Sequence, residues 1–85
     1  MNETNLTETE IAVLKAMHTR AIYKPNHKKV EIIMRSGFPS DQRGNVKKAI
    51  KTLIKKRFIM WYNRSKDAIQ LNKEKSQEII KILTP

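Results

Sequence analysis

The chain contains no cysteine, which excludes disulfides and thiolate zinc sites and leaves packing, hydrogen bonds and self-association to hold the fold. Glycine is nearly as scarce. Gly37 and Gly44 are the only two, so no glycine-rich loop is available to cradle phosphate. His18 and His27 lie nine positions apart with no carboxylate cluster at ligand spacing, and no metal site is expected. No serine or carboxylate stands in a recognisable catalytic arrangement, so the sequence predicts a protein that is not an enzyme and carries no cofactor. Apolar runs are short as well. None approaches the roughly 18–20 residues needed to cross a bilayer, and the N-terminal region lacks a charged-then-apolar leader. A soluble, cytoplasmic protein with no membrane partner is expected.

Acidic residues are the remaining scarcity, eight against eighteen Lys and Arg, for a net charge of +10 over 85 residues. This length allows one domain, 1–85, with 1–5 expected to be disordered. The 39% hydrophobic content supports a folded core, and the 31% charged content a wet surface. The charge is concentrated. Residues 20–66 carry fourteen Lys or Arg against Glu31 and Asp41 alone, a local +12, whereas 1–19 amount to −2 and 67–85 to zero. Such clustering points to a polyanionic partner; the plainer reading is a solvated basic surface.

Thr7 and Glu10 have the spacing of a capping box, and Leu6 and Ile11 occupy the two hydrophobic-staple positions around it. A helix is therefore predicted to about Thr19, with Ile11, Leu14 and Met17 as its apolar stripe and Ala21 as a further candidate member. Pro25 ends that pattern, and Ile22 with Tyr23 either forms a short strand or covers the core. Asn26 is the expected N-cap of a second helix striped by Val30, Ile33 and Met34 and closed by Gly37. That placement puts Lys28 and Lys29 in its first turn, where they oppose the helix dipole unless a phosphate lies nearby. Phe38-Pro39 enforces a turn. Ser40 or Asp41 then caps a third helix, 41–57, with Val46, Ile50, Leu53 and Ile54 inward. Residues 58–71 read as a hairpin with a short polar tip, and 73–83 as a last helix.

The third helix divides sharply. Opposite its apolar stripe stand Gly44, Lys48, Lys51, Thr52 and Lys55, flanked by Asn45 and Lys47. A helix with one apolar and one cationic side fits the major groove of duplex DNA. Its N-terminal amides and guanidinium can read base edges while later lysines neutralise phosphates. On that basis Gln42, Arg43, Asn45 and Lys48 are candidate base contacts, and Gly44 marks the point of closest approach. Candidate backbone contacts are Ser40, Lys47, Lys51 and Lys55, together with Lys28 and Lys29 and, from the hairpin tip, Arg64 and Lys66. Trp61 and Tyr62 adjoin the tip and must alternate faces, which sends at least one of them into the core.

In the last helix Ile79, Ile80, Ile82 and Leu83 span more than a simple stripe, either to pack on the first helix or to form a homodimer seam.

The stretch from Asn45 to Ile59 resembles the recognition-helix-into-wing segment of winged-helix regulators, including the multiple-antibiotic-resistance-regulator type. Leu71-Asn72-Lys73-Glu74-Lys75 resembles the segment that leads those families out of the wing. The resemblance covers the order of elements over roughly 7–83. It implies an α+β fold, mostly α: a winged helix-turn-helix with a three-helix core, a β-hairpin wing and a C-terminal helix, binding double-stranded DNA as a transcription regulator. The chain departs from that pattern at Arg57, where a glycine is usual, and in a tip without the aspartate-and-two-arginine wing signature. It also lacks the long flanking helices that form an effector pocket, and no small-molecule effector is expected. Two other readings compete. One is an RNA-binding or ribosome-associated domain, which exposed aromatics on the sheet favour. The other is a winged-helix protein-interaction module, which a neutralised third-helix face favours.

Overall fold

In the computed structural model, which describes residues 6–23, 26–35 and 38–84, the first helix, α1 (Glu8–Thr19), begins where its cap requires. The Glu10 amide donates to Thr7 Oγ1 at 3.2 Å and the Thr7 amide to Glu10 Oε1 at 3.0 Å. Two otherwise orphaned donors are thereby satisfied. Leu6 packs against the core and Ile11 is half-buried, as the staple positions predict, but the stripe is Val13, Leu14 and Met17, all fully buried. Ala21 does not extend it. It is exposed, with φ of 53°, in the left-handed residue of a Schellman turn. There its own amide reaches His18 O and the Ile22 amide reaches Met17 O. Ile22 is then buried, and Tyr23 makes an isolated parallel bridge to Leu71.

The second helix starts later than its sequence suggests. Lys28 and Lys29 form a two-residue strand, β1, paired antiparallel with Ile69 and Ala68, and α2 spans only Val30–Arg35. Asn26 is consequently not an N-cap; its side chain donates to Ala21 O at 3.2 Å. The physical reason is that strand pairing takes up backbone groups that a helix turn would leave open. Glu31 occupies the first turn instead. The breaks expected at Pro25 and Gly37, and the N-terminal disorder expected for 1–5, fall outside the described residues.

Ser40–Gln42 forms a 3-10 turn and not the cap of α3, which runs Arg43–Lys55 without a side-chain cap. Its buried side is Val46, Ala49, Ile50 and Leu53; Ile54, expected inside, is half-buried, and so is Thr52, expected outside. The helix ends in a second Schellman turn, in which Arg57 has φ of 67° and the Phe58 amide donates to Leu53 O at 3.0 Å. Chain reversal there carries Phe58 into the core and starts the hairpin of β2 (Ile59–Asn63) and β3 (Ala68–Leu71).

The three strands form an antiparallel sheet in the order β1-β3-β2, with a bulge between Trp61 and Asn63. Ile59, Ile69 and Leu71 point into the core, and Met60 and Tyr62 point away from it. A 3-10 turn at Lys73–Lys75 leads to α4 (Ser76–Leu83), which packs on α1. Ile79 is fully buried there, Ile82 and Leu83 are partly buried against the core, and Ile80 remains 46% exposed. Four helices and this sheet, among the described residues, make a small, mostly helical α+β fold around one cluster of buried side chains.

Candidate nucleic-acid interface

The inward side of α3 fixes its outward side. Because Val46, Ala49, Ile50 and Leu53 are held in the core, Arg43, Gly44, Asn45, Lys47, Lys48, Lys51 and Lys55 are all exposed. Among the described residues none of the α3 lysines forms an ion pair, the pairs there being Arg35 with Glu31 and Lys75 with Glu78. The face is uncompensated charge, which water and counterions alone screen.

Tertiary structure extends this face in one direction. A cleft of about 410 Å³ opens between α2, α3 and the hairpin, and Lys29, Lys47, Lys51 and Lys66 all line it. Its apolar lining includes Val30, Met34, Ile50, Ile54 and Trp61, and two acids, Glu31 and Asp67, also reach it. Glu31 is engaged by Arg35 at 2.7 Å. Four of the cationic positions singled out in the sequence thus converge on one groove, although they come from β1, α3 and the hairpin tip. Lys48 and Lys55 lie on α3 outside this lining, and Lys28, paired with Ile69 in β1, does too.

The candidate base-reading end is partly organised in advance. Asn45 Nδ2 donates to Gln42 Oε1 at 3.1 Å, which orients both amides where the 3-10 turn enters α3, with Arg43 exposed between them. Ser40 is exposed one turn earlier. A Cβ at Gly44 would meet nothing within 4 Å. No neighbour within the chain therefore requires a glycine there.

The hairpin tip is a hydrogen-bonded turn. Asn63 Oδ1 accepts from Ser65 Oγ at 2.8 Å and from the Lys66 amide at 3.3 Å, while Asp67 closes the turn with φ of 52°. The Asp67 carbonyl accepts from the Val30 amide at 2.8 Å, tying the tip to the start of α2. Arg64 lies 5.8 Å from the centre of the Trp61 ring, within cation–π range. Trp61 is the half-buried member of the aromatic pair and Tyr62 the exposed one, at 50%.

Two features were not legible beforehand. His27 stacks on Tyr62 with ring centres 3.7 Å apart and planes 5° from parallel. These residues are thirty-five apart in sequence, so no local pattern announces the pair. His18, on the other side of the fold, hydrogen-bonds through Nδ1 to the Tyr23 hydroxyl at 3.1 Å, and burial pushes the Tyr23 phenol above its ordinary value. Neither histidine belongs to a metal-binding group among the described residues. No helix among the described residues is long and apolar enough to cross a membrane.

No protein-family model, curated protein or solved structure matches the chain.

Proposed function

We propose that the chain is a winged-helix protein that binds double-stranded DNA sequence-specifically, as a transcription regulator, with α3 in the major groove. The observation that carries this reading is the unpaired lysine face of α3, continued by Lys29 and Lys66 around one cleft. The order α1-β1-α2-α3-β2-β3-α4, with β1 closing a three-stranded sheet beside the hairpin, supports the winged-helix layout. Gln42, Arg43, Asn45 and Lys48 read base edges. Lys47, Lys51 and Lys55 take backbone phosphates from α3, and Ser40, Lys28, Lys29, Arg64 and Lys66 take them from the flanks. Arg64 is held over Trp61 and the tip is short and closed, so the hairpin adds backbone affinity and α3 carries specificity.

The test is equilibrium binding to duplex DNA, hairpin RNA and heparin across a salt series. Duplex DNA binds most tightly, and Lys47→Ala with Lys51→Ala lowers the log–log salt slope by about 1.8, at ~0.9 per phosphate contact. Equal affinity for all three polyanions, or an unchanged slope, refutes the reading. One observation favours RNA as a second reading. Tyr62 is half exposed on the sheet and offers the ring face that His27 does not cover. Tighter binding of the RNA hairpin, lost on Tyr62→Ala, identifies that case. An interaction module that dispenses with nucleic acid fits poorly with an α3 face whose lysines form no ion pair among the described residues.

A further inference from the structure

Away from the lysine groove, a second cleft of about 690 Å³ lies where the end of α3 meets the outer edge of the hairpin, with Arg57, Met60, Gln70 and Lys73 in its lining. Three departures from ordinary folding rules meet there. Gln70 is only 8% exposed, yet its Oε1 is buried and has no hydrogen-bond partner. Arg57 holds a left-handed backbone conformation that glycine would adopt without strain. Met60, the residue across from Gln70 in β2, leaves 44% of its surface in water. The turn that ends α3 accounts for Arg57, whereas the orphaned Gln70 acceptor has no account inside the fold and calls for a donor from outside it.

The chemistry of the lining selects the ligand. Arg57 and Lys73 have no acidic partner among the described residues, whereas Lys75 is engaged by Glu78 at 3.7 Å and lies over the Phe58 ring. The walls are firm, because Asn72 Nδ2 holds Arg57 O at 2.8 Å while its Oδ1 accepts the Glu74 amide. The site therefore offers two cations outside any ion pair, with the Glu74 carboxylate also in the lining, an apolar surface from Met60 and Ile54, and an amide whose acceptor lacks a donor. A glutamine amide pairs in two places with adenine, accepting from N6 and donating to N7. The terminal torsion of glutamine is soft, so Oε1 can turn to the cleft when a donor arrives. We propose that this cleft binds an adenine nucleotide, with Gln70 reading the base, Met60 under its face, and Arg57 and Lys73 holding the phosphate.

Calorimetric titration with AMP and UMP tests the assignment. AMP binds saturably at millimolar concentration, and UMP at least about tenfold more weakly, the discrimination expected of one bidentate pair. Gln70→Met brings AMP down to the UMP level without altering duplex DNA binding, while Lys73→Ala weakens both nucleotides alike. Removing an unpartnered buried acceptor leaves Gln70→Met at least as stable as the parent, which a thermal melt verifies. If that variant does not fold, the AMP-to-UMP ratio of the unaltered chain still decides. Equal binding of AMP and UMP, absence of saturable AMP binding, or a preference that survives Gln70→Met overturns the proposal. Oligodeoxyadenylate in the same assay separates the two sources of the ligand: tighter binding than AMP that is lost on Gln70→Met assigns the cleft to an unpaired strand, and no Gln70-dependent gain assigns it to the free nucleotide.

Discussion

Replacing Arg57 by glycine removes a Cβ from a residue held at φ of 67° in the turn that ends α3. For an L-residue that conformation costs about 1–2 kcal/mol. Glycine relieves the strain but makes the unfolded chain more flexible, which offsets about 0.4–1 kcal/mol. The backbone bonds of the turn stay in place, since the Arg57 amide to Ile54 O, the Phe58 amide to Leu53 O and Asn72 Nδ2 to Arg57 O all involve main-chain atoms at this position or its neighbours. The net gain is about 0.8 kcal/mol. Arg57 also sits at the negative end of the α3 dipole, where its charge contributes about 0.3–1 kcal/mol. The comparison that isolates the backbone is therefore Arg57→Gly against Arg57→Ala, both lacking the charge. Thermal unfolding followed by circular dichroism at low and high salt reads it, and the glycine variant melts about 3–6 °C above the alanine variant. Equal melting temperatures, or a less stable glycine variant, refute the claim that left-handed strain is stored at Arg57.

Two further outcomes follow from particular contacts. Gly44→Ala raises stability by about 0.5–1 kcal/mol, because a Cβ there meets nothing and alanine suits a helix better. If Gly44 is the point of closest approach to the duplex, the same change weakens DNA binding, and a stabilised variant with unchanged affinity removes Gly44 from the interface. Tyr23 links stability to alkaline pH. Burial keeps its phenol protonated above the unfolded value of about 10, so its contribution is intact below that pH and declines as pH rises past it. Tyr23→Phe destabilises the chain at neutral pH by about 0.5–1.5 kcal/mol through loss of the His18 hydrogen bond, and the gap to the parent narrows above pH of about 10. Parallel stability curves for the two proteins across that range contradict the burial argument.

Several elements are written in short stretches of sequence because their causes are local. Thr7 and Glu10 announce the start of α1, since a capping box spans only four residues. Periodicity placed the lysines of α3 opposite Val46, Ile50 and Leu53, and the structure keeps them there, because one helix rotation determines both faces. The hairpin was legible from its β-favouring runs and polar tip, and so was the inward turn of one of Trp61 and Tyr62.

What the tertiary structure alone decided rests on partners far apart in the chain. Lys28 and Lys29 satisfy a helical reading locally and become a strand only because β3 supplies Ile69 and Ala68 as partners. The same pairing brings Lys29 beside Lys47, Lys51 and Lys66 in one groove, and stacks His27 on Tyr62. Ala21 and Arg57 carry no turn signal in their side chains. Their left-handed backbones are imposed by the need to bury Ile22 and Phe58 directly after a helix end. Gln70 alternates as a surface residue should, yet it lies on the central strand of the sheet, with β1 on one side and β2 on the other. Sequence periodicity records which way a side chain points along its own element. Whether another element then covers it is decided by packing, through contacts that no local pattern encodes.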